Sequence, residues 1–165
     1  MALRPITGLA TGLCLLCSPA IAARPDQPSV SITTGPLRGT IREDVAFFGG
    51  IPYAAAPTGV NRWRAPQPVR SWSAPYDATM FGADCPQPAR AKDAGVPQKE
   101  DCLTINVASP HLKGHNLPVL FVVHGGAYFV GSGREPFTPS MPPIVRQGVV
   151  LVAPNYRLGR LGFFA

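Results

Sequence analysis

Residues 124–133 read HGGAYFVGSG and follow the apolar run PVLFVV, an arrangement that predicts a strand opening into a glycine-rich loop. Backbone N–H groups offered by such a loop can hold an anion, and glycine lets the chain turn tightly and lets a ligand come close. Within the loop, Ser132 carries a hydroxyl and His124 an imidazole. A strand-to-helix nucleophile turn of the G-x-S-x-G type would need a glycine two residues before its serine. At Ser132 that position is Val130, and none of the other serines fits the pattern either. The remaining chemistry-bearing residues are Cys85 and Cys102, an acidic pair Glu100-Asp101, and scattered arginines such as Arg62 and Arg157.

The elements that must position these groups can be outlined from hydrophobic pattern and turn residues. SVSITTGPLRGTI predicts two short strands joined by a turn at Gly35-Pro36, and VAFFGGIPYA a further strand closing on Gly49-Gly50. APTGVNRWRAPQPVRSW is too rich in proline for regular structure and is expected as a long ordered loop or a surface arm. CLTINVASP, PVLFVV and GVVLVAP are strand candidates, and the last two are continuous apolar runs of the kind a strand covered on both faces requires. Between them only residues 143–147 offer a short helix, with Pro143 suited to its first turn. Two strands around a crossover predict a parallel pair in an α/β protein.

Composition limits the function classes. The chain has 165 residues, 45% of them hydrophobic, which suits one packed domain. Its net charge is +6, but the arginines occur singly, with no basic helix or aromatic RNA-binding motif, so no nucleic-acid partner is expected. Residues 1–22 combine Arg4, an apolar stretch from Ile6 to Cys17, and Ala20-Ile21-Ala22 as a cleavage site. They predict a signal peptide cut after Ala22, a mature region 23–165, and a secreted or periplasmic protein. No later apolar run approaches the roughly 18 residues of a membrane span. In an oxidising compartment Cys85 and Cys102 are read as one disulfide, the alternative being two buried thiols. Their spacing does not suggest a metal, and no cofactor is implied.

Four segments in order, GGIPYAAAPTGVNRWRAPQP, EDCLTINV, PVLFVVHGGAYFVGSG and VVLVAPNYRLGRLGFFA, resemble the N-terminal part of the type B carboxylesterases, the family that includes the cholinesterases. The resemblance implies the N-terminal portion of an α/β-hydrolase fold, a carboxylic ester substrate, and a Ser, Glu or Asp, His triad working through an acyl-enzyme. It also implies that the N–H groups of Gly126 and Ala127 form the oxyanion hole, with His124 and Gly125 supporting the loop. Ala127 stands where a third glycine is commoner, which keeps the N–H and adds a methyl that narrows the acyl pocket. By the same resemblance Arg62 pairs with Glu100, and Cys102 bonds Cys85, both fastening the proline-rich arm to the sheet. Arg157 resembles an ion-pairing arginine whose acidic partner would follow it, but no acidic residue follows Glu135.

The triad itself is not among these residues. The family's catalytic histidine resembles a much later position, so His124 is expected to pack the loop, and His111 and His115 to lie on a surface loop. The nucleophile turn is expected downstream of NYRLG, on a strand the central sheet here lacks, and its following N–H would complete the oxyanion hole. The chain is therefore expected to be inactive by itself, with an apolar sheet edge left open. A non-catalytic binding or adhesion protein of cholinesterase-like fold, or a fragment without function, is the alternative.

Overall fold

In a computed structural model the described residues are 27–90, 93–110 and 116–163. The proposed leader and both His111 and His115 lie outside them. The first hairpin comprises β1 (Ser29–Ile32) and β2 (Gly35–Arg38), paired antiparallel with Ile32 opposite Gly35. Its turn is therefore Thr33-Thr34, two residues before the Gly35-Pro36 turn expected from sequence. A short strand, β5 (Tyr76–Asp77), adds in parallel to β2.

The main sheet contains β3 (Thr40–Arg42), β4 (Val45–Pro52), β6 (Thr104–Ser109), β7 (Val119–Phe121) and β8 (Val150–Pro154), in the order β3-β4-β6-β8-β7. β3, β4, β6 and β8 are antiparallel neighbours, and only β7 and β8 run parallel. The crossover between those two carries the glycine loop, a single-turn 3-10 segment at Glu135–Phe137 and helix α1 (Pro143–Arg146). Helix α2 (Gly159–Gly162) follows β8. β4 does not stop at Gly49-Gly50 as expected but passes through a register shift between Phe48 and Ile51 and continues to Pro52. A β-bulge absorbs the pair.

The VAFF stretch is apolar at every position because both of its faces are covered. On one side Val45 and Phe47 join Ala108, Leu151 and Ala153 beneath Phe137, Met141 and Val145 of the crossover. On the other Ala46 and Phe48 pack with Ile51, Leu37 and Ala78. β7 behaves otherwise. Its continuous apolar run predicts burial on both faces, yet Val119, Leu120 and Phe121 are all exposed, Val119 by 62%. It is an edge strand, and none of the described elements packs over it, so its hydrophobicity finds no partner in these residues.

Candidate functional site: an anion-receiving turn

β7 delivers the chain into a turn whose backbone lies in an uncommon region. Gly126, Ala127 and Tyr128 have φ of 115°, 51° and 65°. The Phe129 N–H donates to the Gly126 carbonyl at 3.0 Å and the Val130 N–H to the same oxygen at 3.1 Å. Positive φ at both central residues marks the mirror-image class of β-turn, which normally uses asparagine and glycine. Here alanine and tyrosine occupy it, at about 1–2 kcal/mol for each side chain so placed. Strain of this kind persists only where the surroundings enforce it, and it concentrates at functional positions.

The turn uses its carbonyl and leaves its leading amides free. Among the described residues, the N–H groups of Gly126 and Ala127 donate no hydrogen bond, and both residues are exposed. They stand like the orphan donors at the start of a helix, able to receive an anion without first giving up another partner. A Cβ on Gly126 would lie 1.8 Å from the Val130 carbonyl oxygen, so only glycine permits this closure. Gly125 meets nothing at its Cβ position, which leaves open space beside the amides.

His124 supports the loop from beneath. It is buried, its Nδ1–H donates to the Gly125 carbonyl at 2.8 Å, and its ring stacks on Tyr156. That bond defines the tautomer and leaves the imidazole engaged in packing. Tyr156 follows β8, so the two parallel strands grip the loop through this pair.

Ser132 is equally engaged. It is 1% exposed, and its hydroxyl donates to Asp84 Oδ1 at 2.5 Å. Asp84 also accepts from Arg134 Nε at 3.0 Å, and Arg134 donates to the Gly82 carbonyl. The Gly133 N–H donates to Asn155 Oδ1 at 2.8 Å, while Asn106 Nδ2 donates to the Gly133 carbonyl at 3.0 Å. Asn106 in turn accepts from the Gly50 N–H at the β4 bulge. A buried, well-satisfied polar network of this type fixes one geometry. Asp84, Asn106, Arg134 and Asn155 were not singled out from sequence. For Asn106 and Asn155 the signal was a polar residue inside or just after an apolar strand, as in TINVAS and VAPNY, which demands a buried partner; Asp84 and Arg134 lie in irregular segments that carry no such signal.

The remaining sequence candidates lie along the arm. Cys85 and Cys102 are bonded, with Cα atoms 5.1 Å apart, and both are buried with Leu103 and Leu158. Arg62 donates to both Glu100 oxygens, at 2.9 and 2.8 Å. Their side chains retain 38% and 28% exposure, so the pair is not buried, and solvent screening holds its value to at most about 1 kcal/mol. Arg157 forms no ion pair among the described residues and donates instead to the Arg64 carbonyl at 2.9 Å. A cleft of about 530 Å³ lies beside the turn, lined among others by Gln87, Phe129, Leu158 and Arg160; Gly126 and Ala127 are exposed outside it. No group of three metal-ligating side chains occurs among the described residues, and none of their helices is long and apolar enough to cross a membrane.

The family model described as the carboxylesterase family matches residues 26–165. The chain belongs to the carboxylesterase family. It is 39% identical over 138 residues to the para-nitrobenzyl esterase of Bacillus subtilis, a match covering 81% of this chain and 28% of that protein. It is 38% identical to the phenmedipham hydrolase of Pseudarthrobacter oxydans, covering 84% of this chain and 30% of the relative. Among solved structures, the juvenile hormone esterase of Manduca sexta superposes with a TM-score of 0.76 at 31% identity, covering 84% of this chain and 28% of that one. A thermophilic para-nitrobenzyl esterase superposes at 0.75 with 37% identity, covering 83% and 29%. The fold is thus that of the carboxylesterases, an α/β-hydrolase, and the chain spans somewhat under a third of the length of these relatives.

Proposed function

We propose that this chain supplies the oxyanion-binding turn of a serine carboxylic-ester hydrolase, the Gly126 and Ala127 amides receiving the charge that develops on an ester carbonyl oxygen. Attack on an ester turns a weakly polar carbonyl into an alkoxide, and fixed N–H donors stabilise that change without reorganising. The observation that carries the reading is the pair of exposed, unengaged amides held in a strained turn. The printed name of one relative, a para-nitrobenzyl esterase, supports the same substrate class. His124, Gly125 and the bonded Cys85 and Cys102 hold the turn and its arm in place; no triad serine, acid or histidine is assigned to these residues. The chain alone accordingly turns over no ester, and residues 1–22 direct it to the cell exterior or periplasm as a cleaved leader.

A chimera tests this. Residues 27–163 would replace the matching segment of the Bacillus subtilis para-nitrobenzyl esterase, whose own remainder contributes every other group. The chimera should hydrolyse a p-nitrophenyl ester, and Gly126→Ala, which cannot close the turn, should lower kcat by about 10²–10³-fold. A folded chimera without turnover would sink the reading, as would turnover indifferent to that substitution.

A further inference from the structure

Gln87 lies in the disulfide-tied loop, far in sequence from the anion-receiving turn, yet its side chain meets the backbone of Gly131 at both polar atoms. The Gly131 N–H donates to Gln87 Oε1 at 2.8 Å, and Gln87 Nε2 donates to the Gly131 carbonyl at 2.9 Å. This is the pairing a neighbouring strand would make, supplied by one amide side chain. We propose that Gln87 is a positioning residue for the Gly126 and Ala127 amides, acting through Gly131; the proposal rests on the ester-hydrolase reading of that turn.

The mechanical path is short. Gly131 closes the turn that Gly126 opens, with φ of 121°, and it sits directly against the base of the loop. A Cβ there would lie 2.2 Å from His124 Nδ1 and 2.5 Å from the Gly125 carbonyl oxygen. The Gly131 backbone is therefore a wall on which residues 124 and 125 are seated. If it moves, they lose that seat, and the two amides that follow them lose their aim.

Gln87 is itself held well enough to serve as a clamp. Its N–H donates to Gln98 Oε1 at 3.0 Å, and Nε2 also reaches the Cys85 carbonyl at 3.2 Å. Cys85 is tied to Cys102, and Asp84 bridges to Gln98 in parallel, with the Asp84 N–H donating to the Pro97 carbonyl at 2.9 Å. Arg90 of the same loop donates to Glu135, further along the crossover in sequence than Gly131, at 3.0 Å. The disulfide loop thus grips the crossover at two points, and the nearer of them is Gln87.

The test is residue-resolved amide exchange and backbone relaxation on the full, disulfide-intact chain. Gln87→Met keeps the length and removes both bonds to Gly131 together with the one to the Cys85 carbonyl; Gln87→Glu keeps an acceptor for the Gly131 N–H and loses the Nε2 donor to both carbonyls. With Gln87→Met, exchange at Gly131 should rise about tenfold or more, since both side-chain hydrogen bonds to its backbone are lost. Order parameters at Gly126 and Ala127 should fall from about 0.85 towards about 0.6, with exchange in β4, β6 and β8 unchanged. With Gln87→Glu, Gly131 should stay protected while the order at Gly126 and Ala127 falls by less. Unchanged order at those two amides in both variants would overturn the proposal, as would exchange rising equally across the sheet. Should Gln87→Met fail to fold, Gln87→Glu decides alone by the same criterion. These measurements need no ester and no nucleophile, so they can fail while the chimera still hydrolyses its substrate, and the reverse. In the chimera, Gln87→Glu should lower kcat with KM little changed, the mark of an interaction realised in the transition state.

Discussion

The imidazole of His124 lies flat on the phenol of Tyr156, ring centroids 4.2 Å apart at an interplanar angle of 13°, and the Tyr156 hydroxyl donates to the His124 carbonyl at 2.8 Å. The residue that begins the loop is thereby held by the segment leaving β8. Tyr156→Phe keeps the stack and removes the hydrogen bond, and should cost about 1 kcal/mol in a denaturant melt. Tyr156→Ala removes both and should cost about 2–3 kcal/mol, less than deletion of a core aromatic because Tyr156 is only partly buried. Equal losses for the two variants would show that the hydroxyl alone matters.

Alkaline pH should loosen the fold through three tyrosines. Tyr53, Tyr76 and Tyr156 donate to the carbonyls of Asn155, Gly50 and His124. Burial pushes all three phenols above their ordinary value; Asp101 and Asp77 add to this at Tyr76, Tyr128 and Glu135 add at Tyr156, and Arg157 opposes it at Tyr53. A folded-state value raised above the unfolded one means stability present in full below the unfolded value and lost as pH climbs through the folded one. The loss should therefore begin above about pH 10. Phenylalanine at all three positions should flatten that limb of a stability–pH curve; a slope unchanged by the replacements would contradict it.

Ser132→Ala should act on stability and not on chemistry. The hydroxyl's removal leaves Asp84 buried with Arg134 as its remaining side-chain partner, and should cost about 1–3 kcal/mol by thermal unfolding. A serine-directed fluorophosphonate should not label this chain at Ser132, since the side chain is enclosed. Labelling there by mass spectrometry would reverse the assignment.

Ala127→Gly should relieve the turn. An alanine at φ 51° carries about 1–2 kcal/mol of strain, and glycine returns part of that through its larger unfolded-state entropy. A net gain of up to about 1 kcal/mol is expected, read as a raised Tm. The N–H is retained, so turnover of the chimera should persist, with bulkier acyl groups better tolerated once the methyl is gone.

Much of this architecture is legible in the residue pattern, and the exceptions share a cause. VAFF, TINVAS and VVLVAP announce strands, and Pro143 announces the start of α1, because period and proline geometry are local. PVLFVV reads as a strand that needs cover on both faces, but cover belongs to neighbours; among the described residues β7 has one strand beside it and all three of its residues are exposed, which is the open apolar edge expected of an incomplete sheet. The Asp84, Ser132 and Asn155 cluster joins residues 48 and 23 positions apart, a meeting that only the crossover arranges. Gln87, between two prolines in an irregular loop, carries no period at all. The family resemblance named the glycine loop, but neither the strain at Ala127 and Tyr128 nor the clamp on Gly131 follows from a motif.

β8 is where the sheet changes sense, antiparallel to β6 on one side and parallel to β7 on the other. The Gly126–Val130 turn is strung between those two parallel partners, so it has no scaffold until β8 has docked. Pairings across long chain separations form slowly, because loop-closure entropy is lost before contacts repay it. Maturation of the turn is thus a late event, after the β3–β4 hairpin and its core have formed. Pulse-labelled refolding should find the Gly131 amide protected no earlier than that of Val152, and the reverse order would break the link between strand docking and the birth of the site.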